Sequence, residues 1–97
     1  MIMSKTHMLT VTYFAKEGCA RAFVDELETS GVAAAVRAED GCIHYDYYFS
    51  AKDENVVFLF EEWTSEHHQQ VHLTQPHIAQ LKQIKEKYIL DTVLRVL

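Results

Sequence analysis

GCIHYDYYFSAKDENVVFLFEEWTSEHHQQVHLTQPH, residues 41–77, decides the reading of this chain. It holds the only tryptophan, the only proline and five of the six histidines. Cys42 to Ser50 alternates as a strand, with Ile43, Tyr45, Tyr47 and Phe49 on one face. Cys42, His44, Asp46 and Tyr48 fall on the other. Ala51 to Asn55 is polar, includes Asp53 and Asn55, and reads as a turn. Val56 to Trp63 is the next strand, with Val57, Leu59, Glu61 and Trp63 opposite Phe58, Phe60 and Glu62. The two strands and their turn make a hairpin. Thr64 or Ser65 can cap a helix, Glu66 suits its first turn, and the helix is expected to reach about Leu73. Pro76 then opens a further helix.

Upstream, His7 to Ala15 reads as a strand, with Leu9, Val11 and Tyr13 on one side and Met8, Thr10, Thr12 and Phe14 on the other. Glu17-Gly18 breaks it. From Cys19 the period changes. Ala20, Phe23, Val24, Leu27, Gly31, Ala34, Ala35 and Ala38 form one helical stripe. Gly31 costs such a helix about 1 kcal/mol; a kink or a two-piece helix is expected there, with close backbone approach to a neighbouring element as the alternative. Asp40-Gly41 ends it. Downstream, Ile78, Leu81, Ile84 or Lys85, and Tyr88 mark a short helix, and Ile89 to Leu97 a closing strand.

The order β-α-β-β-α-(α)-β is the ferredoxin-like split βαβ of the α+β class. It is a four-stranded antiparallel sheet with helices on one face. Its open face would carry apolar and aromatic groups from every strand, which a second copy of the chain would cover, so a homodimer is expected.

Ninety-seven residues fit a single domain spanning residues 1–97. A formal charge of −5 argues against nucleic acid as a partner. No apolar run approaches the ~20 residues needed to cross a bilayer. Met1 to Lys5 is too short for a secretory signal, so the expected location is cytoplasmic. Cys19 and Cys42 fit reduced, inert thiols, since neither is flanked by activating basic residues.

Four motifs in register carry a family likeness. Glu39-Asp40-Gly41-Cys42, Tyr45-Asp46, Glu61-Glu62-Trp63-Thr64-Ser65 and His72-Leu73-Thr74-Gln75-Pro76-His77 resemble the antibiotic biosynthesis monooxygenase family. The likeness covers nearly the whole chain and is nearest the small quinol monooxygenase branch. It implies a dimeric α+β barrel, in which two ferredoxin-like sheets face each other. It also implies oxygenation of a phenolic or quinol-like substrate by dioxygen without metal, flavin or heme. Heme-degrading relatives on this fold hold iron by a histidine on the helix after the proline position, and use a tryptophan in the preceding helix. Counting from Trp63, those positions fall on Lys82 and His72, so heme cleavage is not expected.

Oxygenation without a cofactor needs a base and a dry site. Histidine is the natural base near neutral pH, and His72 is the first candidate. The alternative is a histidine whose ring nitrogens satisfy nearby backbone groups. Tyr45, Trp63 and His77 are candidate substrate contacts, with core packing and a helix-start hydrogen bond as their structural alternatives. His44 and Asp46 share a strand face as an acid–base pair or a polar patch. His68 and His72 have the spacing a metal uses, with His67 beside them, but no carboxylate or cysteine obviously completes a site, so none is expected. Two other functions compete. One is isomerisation of a phosphorylated signalling sugar, opposed by the apparent scarcity of basic residues near the pocket. The other is a non-catalytic dimer that binds a small aromatic molecule.

Overall fold

A computed structural model describes residues 5–97; most of the start read above as too short for a signal lies outside the described residues. The elements follow the expected order. β1 is His7–Ala15, α1 Ala20–Thr29, α2 Val32–Arg37, β2 Cys42–Phe49 and β3 Val56–Trp63. α3 is Glu66–His72, α4 His77–Tyr88 and β4 Ile89–Val96. The sheet is antiparallel, in the order β2-β3-β1-β4. This is the ferredoxin-like arrangement of an α+β fold.

One face of the sheet makes the core. Leu9, Val11, Tyr13 and Ala15 of β1 and Val57, Leu59, Glu61 and Trp63 of β3 are all buried there. Phe23 and Leu27 of α1, Val32, Ala33 and Val36 of α2, and Ile78, Leu81 and Ile84 of α4 pack onto them. The helical stripe read from Ala20 to Ala38 is two helices, because Gly31 takes a left-handed φ of 86° that no continuous helix permits. The break lets α2 turn onto β2, where Arg37 Nε donates to the Tyr45 carbonyl at 2.9 Å.

The pairing of β2 with β3 shifts between Cys42 and His44. Cys42 lies opposite Trp63, and His44 opposite Glu62. Ile43 is therefore the extra residue of a bulge, and Cys42 faces the helices rather than sharing a face with His44 and Asp46. Gly41, just before the bulge, has φ 82°, and a β-carbon there would fall 2.4 Å from the His68 ring. Glycine is needed at that point both for the turn and for the close approach of α3.

The opposite sheet face is open. The register puts Val93, Thr12, Phe58 and Tyr48 in one row across it, and Arg95, Thr10, Phe60 and Asp46 in the next. Met8, Phe14, Tyr48, Phe58 and Val93 are exposed on this face. No helix among the described residues is long and apolar enough to cross a membrane.

Candidate functional site

The β3–α3 junction builds the site. β3 ends in Glu61 and Trp63 on the core face, both buried. The Ser65 hydroxyl accepts from the His68 backbone N–H at 3.2 Å and starts α3, and one turn later His72 points back to the sheet. The His72 ring lies 4.7 Å from the Trp63 ring and 6.0 Å from the Tyr45 ring, centre to centre. Its Nδ1 is 2.9 Å from Glu39 Oε2. His77 Nε2 reaches the same carboxylate oxygen at 2.7 Å. Glu39 comes from the loop after α2, so three separate segments meet in one part-buried His-Glu-His chain.

That chain fixes a tautomer. A carboxylate only accepts, so the neutral His72 ring carries its proton on Nδ1 and leaves Nε2 as an acceptor. His72 also lines a cavity of about 150 Å³ between the sheet and α3 and α4. A cavity of about this volume takes a benzene ring. Val11, Leu73, Ile78, Leu81 and Leu94 make its apolar walls. Its polar groups are Tyr13, Tyr45, Glu61, Gln69, His72, Lys82, Lys85 and Thr92. Larger hollows lie on the outside; one of about 230 Å³ runs along α3 between Asp40, His67 and Gln75 and contains neither the tyrosines nor Glu61.

Electrostatics separate these groups. Burial raises the Glu61 carboxyl above its ordinary value, and the Trp63 indole N–H, donating to Oε1 at 3.0 Å, partly offsets this. Burial likewise pushes the Tyr45 and Tyr13 phenols well above theirs, so both stay protonated. The Tyr47 hydroxyl donates to that of Tyr45 at 3.1 Å. Burial first, then Glu39, raises the Cys42 thiol to about 11, which suits an inert thiol.

Of the residues singled out in the sequence, Tyr45 and His72 line this cavity together. Trp63 does not reach it; wholly buried behind His72, it holds Glu61. His77 stands beyond Glu39, at the other end of the hydrogen-bond chain. The histidines of α3 do not converge. His68 is tied to Thr64 and Ser65 through Nδ1 and lies 3.3 Å from Asp40 through Nε2. His72 groups with Glu39 and His77 instead, so a carboxylate does stand beside it. His44 lies 3.5 Å from Asp46 on the open sheet face, far from these groups in the layer order. Sequence reasoning gave no role to Glu39, Glu61, Tyr13 or Lys85. Glu61 carried a signal, being the one acid among Val57, Leu59 and Trp63 on a buried strand face. The expected scarcity of basic residues near the pocket is also corrected, since Lys82 and Lys85 line it.

The same fold occurs in solved structures. PA3566 from Pseudomonas aeruginosa is 26% identical, with a TM-score of 0.83, and the match covers 100% of this chain and 96% of that one. Rv0793 from Mycobacterium tuberculosis is 23% identical, with a TM-score of 0.81 and coverage of 96% and 93%. A structure described as an antibiotic biosynthesis monooxygenase is 17% identical, with a TM-score of 0.80 and coverage of 94% and 95%. Among curated proteins no match is found. A family model described as antibiotic biosynthesis monooxygenase matches residues 6–83, a span that takes in Glu39, Tyr45, Glu61, Trp63, His72 and His77. The chain belongs to the antibiotic biosynthesis monooxygenase family.

Proposed function

We propose that this protein is a cytoplasmic, cofactor-independent monooxygenase that oxidises a quinol or related phenol with dioxygen. The observation that carries the reading is His72, fixed by Glu39 through Nδ1 and lining a cavity the size of one aromatic ring. Nε2 is the base. It takes a phenolic proton, and the electron-rich phenolate passes an electron to dioxygen. The resulting radicals combine into a hydroperoxide on a ring carbon, with the proton returned from His72. Loss of water then leaves a new carbonyl on that carbon. For hydroquinone the balance is quinol plus dioxygen to hydroxyquinone plus water.

The remaining groups have supporting roles. Tyr45 and Tyr13, protonated and buried, present donors to substrate oxygen. The apolar walls keep water from the intermediates. Glu39 stabilises the imidazolium that forms, and His77, with its side chain 19% exposed, links that carboxylate to solvent. The test is oxygen uptake with a panel of quinols. Uptake well above the spontaneous rate supports the reading, and none with any quinol favours a non-catalytic binder of aromatic molecules.

The active form is proposed to be a homodimer joined through the open sheet faces. The exposed Phe14, Tyr48, Phe58 and Val93 motivate it. Light scattering should give about twice the chain mass of 11.2 kDa, and Phe58→Lys should give monomer. A wild-type monomer at micromolar concentration contradicts the pairing.

A further inference from the structure

The two ends of the cavity differ in charge. Tyr45, Glu61 and His72 are buried and form its floor. Lys82 and Lys85 stand at its rim, three residues apart on α4 and so on one side of that helix. Lys82 is exposed and Lys85 half-buried. The Lys85 ammonium lies 5.5 Å from the centre of the Tyr13 ring, so its stem runs along the cavity wall.

Neither lysine makes an ion pair among the described residues. Carboxylates are not scarce, with 14 acids against 9 basic residues in the chain. Glu86 and Asp91 border a separate outer hollow with Lys85, and neither pairs with it. Burial, and then the charge on Lys82, hold the Lys85 ammonium below its ordinary value. Two like charges at the mouth of a concave, largely apolar site repel each other and draw in an anion that relieves both.

We propose that Lys82 and Lys85 form an anion-binding rim, so that this pocket takes a single phenolic ring bearing a carboxylate or phosphate on a ring carbon not adjacent to the reacting hydroxyl. The phenolic half of this rests on the function proposed above; the anionic half does not. In that pose the anion meets the lysines at the solvent edge. The hydroxyl meets His72 at the floor, where Tyr45 and Glu61 also stand. The rim would also orient the ring, since a neutral quinol has no group to set which hydroxyl enters first.

The test is anaerobic calorimetry on the wild-type protein with three probes: hydroquinone, gentisate, and ribose 5-phosphate as an anion without a ring. Gentisate should bind at least about tenfold tighter than hydroquinone, and the margin should shrink as sodium chloride rises. The Lys82→Met/Lys85→Met variant keeps both apolar stems and should lose the margin while binding hydroquinone as before. Equal affinities for the two rings, with no lysine-dependent binding of ribose 5-phosphate, overturn the rim. So does a gentisate margin that survives in the double variant. Lysine-dependent binding of ribose 5-phosphate alone upholds the rim and overturns the phenolic reading, in favour of a sugar phosphate. Tight gentisate binding without oxygen uptake likewise upholds the rim and removes the oxygenase.

Discussion

Replacing His72 with asparagine is expected to lower kcat/KM for a quinol by about 10²–10⁴-fold, the usual worth of a general base, while the protein stays folded. The choice of asparagine follows from the geometry. Its amide nitrogen falls where Nδ1 stands and can still donate to Glu39, which His72 holds at 2.9 Å. No atom replaces Nε2. The buried Glu39 carboxylate keeps His77 at 2.7 Å in any case, so it is not left alone. Alanine would be a poorer test, because His72 is buried against Trp63 and its removal opens a hole in the core. An unchanged kcat/KM with a lower thermal midpoint would make His72 a packing residue only.

Trp63→Ala should be the most damaging single change to stability. Trp63 is 0% exposed and the largest of the fully buried side chains. Emptying such a site costs about 3–5 kcal/mol. For a domain near this size each kcal/mol lowers the midpoint by about 4–8 °C, so the fall should be roughly 12–40 °C. The indole also donates to Glu61, whose carboxyl already sits above its ordinary value because it is buried. Without that donor the carboxyl shifts further up. The sign for pH follows from a raised folded-state value. Stability from Glu61 is fully present below the unfolded carboxyl value and is lost as pH rises through the folded one. The variant should therefore lose more of its midpoint on going from mildly acidic to neutral pH than the wild type does. Thermal melts across that range check both statements. A midpoint within a few degrees of wild type would show that Trp63 does not anchor the core.

Most of the scaffold was legible because its signals are local. Period-two alternation marked β1, β2 and β3, β-branched Ile89, Val93 and Val96 marked β4, and a three-and-four stripe marked α1 and α4, whereas α2 buries Val32, Ala33 and Val36 rather than the expected Ala34, Ala35 and Ala38. Ser65 announced the start of α3 by chemistry that acts within one turn. The bulge at Ile43 was not legible, since alternation alone cannot show that one residue has been inserted against the partner strand. As a result Cys42 was placed on the wrong face. Of the site, Tyr45 and His72 could be picked out as aromatic and basic groups on the right elements. Glu39 could not be tied to them: it is 33 residues from His72 and 38 from His77, and only the packing of the α2 loop against α3 and α4 brings them together. Lys85 was hidden for a different reason. The α4 stripe allowed either Ile84 or Lys85 inward, and the structure turns Ile84 into the core and Lys85 to the cavity edge.

The proposed reaction joins a phenol and dioxygen in the His72 cavity with transfer of one oxygen atom. Turnover of a quinol under ¹⁸O₂, with mass analysis of the ring product and of the water, tests it most directly. One labelled oxygen is expected in the ring product and the other in water, with no build-up of hydrogen peroxide. An unlabelled quinone with one equivalent of peroxide would contradict it, because the protein would then be removing two electrons from the quinol and inserting no oxygen.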